Sequence, residues 1–185
     1  MTNMPIIIRI GNTELGTRMG SPENFTGDDG DGRTARRAAF AADVGARTGI
    51  DEGTIHRLVH TFYDRVRADP LLAPVFKARI TDWAPHLARM CAFWSSVVLM
   101  TGRYHGRPMQ AHAPLPVDAQ HFDRWLALFE ATARDVCPSA AAELFIEKAR
   151  LIAQSLELGI ASYRGLLLAP GARLCQTPAN PITKA

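Results

Sequence analysis

Cysteine is scarce in this chain and odd in number. Cys91, Cys137 and Cys175 are the only three in 185 residues. Their spacing fits no zinc motif, and an odd set closes no disulfide framework. Cys91 therefore reads as a small core residue. No run of about 18 apolar residues occurs, which excludes a membrane-spanning helix as an expectation. The apolar run near the start, 5–8, is too short for a secretory leader and follows no basic stretch. The cytoplasm is the expected compartment. No block of Lys and Arg stands out, despite a pI near 9.0 and a net charge of +3. Residues 1–50 carry six Arg against six acidic residues, so a nucleic-acid partner is not expected. Internal repeats are absent, and strand-like alternation is nearly so. A short strand over 5–10 would have nothing to pair with. What remains is ordinary for one globular domain: 47% hydrophobic and 21% charged residues.

Residues 1–33 are rich in glycine and polar side chains and show no helical period, which predicts poor order and no part in binding a cofactor. The stretch from Gly30 to Ala35 matches a dinucleotide loop on paper. No strand precedes it, and Asp28, Asp29 and Asp31 would repel a pyrophosphate. The folded domain is expected over 34–165, with a leading helix at 34–47 that turns Phe40 and Val44 inward and ends at Gly49. Asp51 offers an N-cap for the next helix, whose Ile55, Leu58, Val59, Phe62 and Val66 recur at i, i+3, i+4 and i+7. Tyr63 lies on the same side. Pro70 closes that helix and opens a short one with Leu71, Leu72, Val75 and Phe76. Asp82 caps a further helix, with Pro85 in its first turn and Leu87, Cys91, Trp94 and Val98 inward, Met90 and Val97 beside them. Gly102 is expected to end it. An irregular link follows to Pro108, then one or two turns over 109–113, stopped by Pro114 and Pro116. Asp118 caps a helix with Phe122, Trp125, Leu126, Phe129 and Ala133 inward. The last long helix, 140–163, places Leu144, Phe145, Ile152 and Leu156 inside. The tail, 166–185, reads as frayed. The fold class is all-α.

Two histidines carry the chemical interest. His112 follows the irregular link and precedes a proline stop. Such a residue is either a surface histidine or an axial metal ligand, for which a short segment pinned by prolines can hold the ring. His86 stands near the start of its helix, one turn before Met90. By itself it is a capping or surface residue, and Tyr63 by itself is ordinary core. With Trp125, these two supply three donors from separate helices, an arrangement that suits a partly anionic diatomic in an apolar cavity. Phe76, Trp83, Met90, Phe93, Trp94, Tyr104 and Phe122 are the expected apolar lining for a flat cofactor. His56 and His60 are four apart on one helix face, but no HExxH pattern completes a metal set, so a solvated face is expected.

The passages FYDRVRADPLLAPVF, DWAPHLARMCAFWSSVVLMTGRYHGRPMQAH and HFDRWLALFE resemble those of group III truncated haemoglobins. The likeness covers about residues 50–163, with three long motifs in the right order. It implies a two-over-two helical sandwich around haem b. It also implies His112 as proximal ligand and Tyr63, His86 and Trp125 on the distal side, with His86 as a gate. The glycine pairs of the other truncated groups are missing, as the third group requires. The long segment 1–33 departs from the family pattern.

The resemblance implies binding of O2 or NO at ferrous iron and redox handling of these ligands, such as NO dioxygenation or a peroxidase-like reaction. An electron source would be needed. With no flavin or nicotinamide fingerprint in the chain, it would be a separate reductase. A gas sensor or carrier is the first rival. The second is a haem-free helical domain acting in protein contacts, which a Soret band would exclude.

Overall fold

A computed structural model describes residues 29–175. It has seven helices and, among the described residues, no strand: α1 (Asp29–Thr48), α2 (Glu52–Ala68), α3 (Ala73–Lys77), α4 (Trp83–Val98), α5 (Pro108–His112), α6 (Ala119–Val136) and α7 (Ser139–Tyr163). Helices α2 and α4 pack together, α6 and α7 pack together, and the two pairs meet chiefly through α2 on α6. The expected all-α, two-over-two sandwich is what forms. The proposed strand at 5–10 and most of the segment 1–33 lie outside the described residues. So do the last ten residues of the tail.

The helix starts follow from capping. Asp51 accepts the Thr54 N–H at 2.6 Å, Asp82 accepts from Ala84 at 3.1 Å, and Asp118 accepts from Gln120 and His121. Each cap satisfies backbone donors that a first turn leaves orphaned. Gly49 ends α1 at φ +75°, a left-handed conformation that favours glycine, and its N–H reaches the Gly45 carbonyl at 2.8 Å.

The core is aromatic at its centre. Phe62 of α2 meets Trp125 and Phe129 of α6 edge-on at 5.3 and 5.2 Å, and Trp94 of α4 stacks on Phe129 at 4.9 Å. Ile55, Leu58, Val59, Val66 and Phe145 are fully buried around them. Both helices of each pair thus contribute to a single apolar cluster, which fixes the pairs face to face.

Four expectations need correction. Helix α1 begins at Asp29, not at 34, so Gly30–Ala35 is helical and forms no loop. Val44 is buried as expected, but Phe40 is 40% exposed, because on an Ala- and Arg-rich helix only part of one face meets the core. Helix α4 ends at Val98 rather than at Gly102. The chain after Leu99 turns back along α4, with Thr101 bonded to Ser95 at 2.8 Å and the Tyr104 N–H bonded to Ser96 at 2.9 Å. The start of the tail is not frayed: Leu174 is completely buried in a second cluster with Val117, Phe122 and Ile160.

Asp69 holds the turn between α2 and α3. Its carboxylate accepts the Leu71 and Leu72 N–H groups at 3.1 and 3.0 Å and Arg124 at 2.6 Å. Burial pushes its carboxyl up, but the bonds from Leu72, Arg124 and Leu71 outweigh this and hold it below the usual carboxylate value. Asp69→Ala is expected to cost about 2–3 kcal/mol of unfolding free energy near neutral pH. A depressed carboxyl contributes stability above its unfolded pKa and loses it as pH falls through the folded one. The gap between wild type and variant, measured by denaturant midpoints, should therefore close on acidification below the carboxylate range.

Candidate functional site

A cavity of about 430 Å³ opens where α3, α4, α5, α6 and α7 surround the inner end of α2. Phe76, Met90, Phe93, Trp94, Tyr104, Phe122 and Trp125 all line it. Trp83 does not. It stands behind the wall, its ring 6.1 Å from Tyr63 and 5.8 Å from His86, with the Arg67 guanidinium 5.1 Å over its outer face. Tyr104 owes its place to the back-turned link after α4, which lays its ring 5.1 Å from Phe93.

His112 closes α5 and lines the cavity. Its Nδ1 is 2.7 Å from the Pro108 carbonyl oxygen. A carbonyl can only accept, so Nδ1 carries the proton and Nε2 keeps its lone pair. This is the tautomer that a metal-ligating histidine needs, with the ring orientation fixed by the second nitrogen. Among the described residues no group of three or more His, Cys, Asp or Glu side chains could hold a metal ion. A metal at His112 must therefore bring other ligands with it, as iron in a macrocycle does.

His86 and Tyr63 meet edge to face, ring centres 4.9 Å apart. Tyr63 is buried, and its hydroxyl makes no hydrogen bond to a protein group among the described residues. Burial pushes its pKa far up, with smaller contributions from Cys91 and Tyr104, so the phenol stays protonated and able to donate. The His86 Nε2 is buried with no hydrogen-bond partner. Burial, then the neighbouring Arg89 and His112 groups, lowers its pKa, which favours a neutral ring. A buried polar nitrogen without a partner is costly unless something else fills its need.

Two cations at the cavity answer a different need. Arg79 and Arg89 line it, and neither makes an ion pair among the described residues. An apolar slot with arginines at its wall suits a flat molecule that carries carboxylates. Neither arginine was legible as part of the site from spacing alone. His121 was not expected here either. It lines the cavity while its Nδ1 sits 2.7 Å from Asp118 in the α6 capping box.

His56 and His60 stay apart from this cavity. Their rings stack at 3.8 Å beside a shallower groove with Glu52, Cys91 and Arg103. All three cysteines are free; burial raises the Cys91 thiol and pushes Cys137 up to about 11. No helix among the described residues is long and apolar enough to cross a membrane.

Comparison with known proteins gives the same picture. The profile of the family described as bacterial-like globin matches residues 47–155. The group 3 truncated haemoglobin ctb of Campylobacter jejuni is 31% identical over 121 residues, which is 63% of this chain and 95% of that protein. The solved structure of the group III truncated haemoglobin from Campylobacter jejuni superposes with a TM-score of 0.55 at 31% identity, covering 64% of this chain and 92% of that one. A thermostable haemoglobin from Thermobifida fusca superposes at 0.51 with 28% identity, covering 63% and 94%. With its two-over-two helices around an apolar cavity, the chain belongs to the bacterial-like globins, among the group III truncated haemoglobins.

Proposed function

We propose that the chain holds haem b with His112 as axial ligand and uses it to bind O2 and NO for redox handling of reactive species, with NO dioxygenation as the reaction to test. The globin family implies a haem cofactor, and the residues present fit one. His112 offers an Nε2 lone pair, the walls are apolar, and Arg79 and Arg89 would receive the two propionates. The group supplies a redox-active iron that takes diatomic ligands.

One observation carries the functional reading: the buried, unpartnered Nε2 of His86 beside the unbonded hydroxyl of Tyr63. Both donors face a mostly apolar cavity, where they favour a ligand that gains negative charge. Trp125 adds an indole N–H from α6. The proposed setting is the cytoplasm, in keeping with three free thiols, and the electron comes from a separate reductase.

The overall reaction, NO + O2 + e⁻ → NO3⁻, balances with one electron per turnover. The test mixes reduced, oxygenated, haem-loaded protein with NO and follows nitrate. Wild type is expected to form one nitrate per NO consumed. His86→Ala should consume NO in lower yield and take up CO faster after flash photolysis, because the ring near the helix start also restricts access. No nitrate from wild type would contradict the proposal.

A further inference from the structure

The end of α7 grips the segment that carries His112. Arg164, the residue that closes α7, donates from Nη2 to the Leu115 carbonyl at 2.6 Å and the Val117 carbonyl at 3.0 Å. The Leu115 N–H in turn donates to the His112 carbonyl at 2.9 Å. A chain of two hydrogen bonds therefore links the guanidinium to the backbone of the histidine. On the other side of His112, Met109 seats its sulfur and terminal methyl against Gly159, where a Cβ would collide with both.

The chain after α7 then returns and locks this arrangement. The buried Glu157 carboxylate accepts Arg173 Nε at 2.9 and 3.0 Å and the Leu174 N–H at 2.8 Å. Arg173 also reaches Asp123 at 2.8 Å. Leu174 is fully buried beside Val117, and its carbonyl accepts the Ala119 N–H at 2.7 Å. Glu157, Gly159, Arg164 and Arg173 all lie beyond the family match, which stops at residue 155.

We propose that Arg164 is a positioning residue for the axial ligand: by bridging two carbonyls of 113–117 it holds the backbone that aims the His112 imidazole. The proposal rests on the haem reading above. A guanidinium suits the task because the two hydrogens of its Nη2 are fixed in the plane of the group and each serves one carbonyl, whereas a lysine ammonium is a freely rotating point charge on a flexible stem. Without it, the Leu115 and Val117 carbonyls lose a charged donor, and the segment after His112 keeps the proline stops, the Leu115–His112 turn bond, the longer Arg79 bond to the Pro114 carbonyl at 3.4 Å and the Leu174 contact.

The test uses the full-length, haem-loaded protein, with Arg164→Ala and Arg164→Lys beside wild type. Resonance Raman of the ferrous protein reads the iron–histidine stretch, and transfer to excess apomyoglobin reads haem loss. Arg164→Ala is expected to move and broaden the stretch and to speed haem loss about 10-fold, the loss of one charged hydrogen-bond donor. Arg164→Lys should fall between. Faster haem loss with an unmoved stretch overturns the proposal, because general loosening gives that result. So does an unchanged pair of readings. If Arg164→Ala fails to fold, Arg164→Lys carries the test: an unmoved stretch overturns the proposal, and a shifted one supports it. A wild type that takes up no haem removes the haem reading and this assignment with it. A haem-loaded wild type with indifferent variants removes this assignment alone.

Discussion

His112→Ala is expected to leave the protein folded and nearly unable to retain haem. The reasoning starts from the tautomer. The His112 Nδ1–H donates to the Pro108 carbonyl, so Nε2 is the one imidazole lone pair that α5 offers to the cavity. No clustered His, Cys, Asp or Glu set among the described residues can replace it. The other histidines at the cavity are His86, on a helix packed against α2, and His121, whose Nδ1 is committed to Asp118 in the α6 cap, so neither lies on α5. The side chain of His112 is only partly buried and belongs to neither apolar cluster, so its removal should cost little packing. Haem stoichiometry should therefore collapse while helicity by circular dichroism stays near wild type. The pyridine haemochrome assay gives the stoichiometry. A variant that keeps wild-type haem content and an unchanged ferrous-CO spectrum would show that another residue is the ligand.

Tyr63→Phe should release O2 much faster while changing CO binding less. The Tyr63 ring is held at three sides, by Phe62 at 5.1 Å, Phe76 at 5.9 Å and His86 at 4.9 Å. Removing the hydroxyl alone keeps that packing. The phenol stays protonated because burial strongly disfavours phenolate, so it can donate to a ligand that carries partial negative charge. Hydrogen bonds to a charged group contribute about 1.5–3 kcal/mol, which is roughly 10- to 150-fold in an equilibrium constant. CO gains little negative charge and should lose little. Trp125 lines the same cavity and can take over part of the bond. Stopped-flow O2 dissociation on Tyr63→Phe and on Tyr63→Phe with Trp125→Phe separates these cases. If neither variant releases O2 faster than wild type, the distal donor role is wrong.

Much of this architecture was legible because its signals are local. The Ile55–Leu58–Val59–Phe62–Val66 face, the Asp51, Asp82 and Asp118 caps and the proline stops around α5 each act within one or two turns, and each appears in the structure. Most of the cavity lining followed from aromatic residues on inward faces. Trp83 was the exception, because its ring packs against Tyr63 and His86 instead of lining the cavity.

What was not legible depends on distant contacts. Gly102 suggested the end of α4, but side-chain bonds from Ser95 and Ser96 turn the chain earlier, and their partners lie six to eight residues on. Leu174 lies in a tail with no helical period, and only its pairing with Glu157, 17 residues away, shows that it is core. Arg79 and Arg89 carry no local signal that marks them as site residues, and only the fold places them at the cavity. Phe40 erred the other way, an aromatic residue on a helix whose core contact is too narrow to cover it.

The central claim is that this cavity holds haem through one histidine. Its most direct test is the absorption spectrum of the purified, haem-reconstituted protein in the ferric, ferrous and ferrous-CO states. The account predicts one haem per chain, with a sharp Soret band in the CO form at the position of histidine-ligated haem. A protein that takes up no haem, or whose CO form absorbs at the red-shifted position of thiolate-ligated haem, would contradict it.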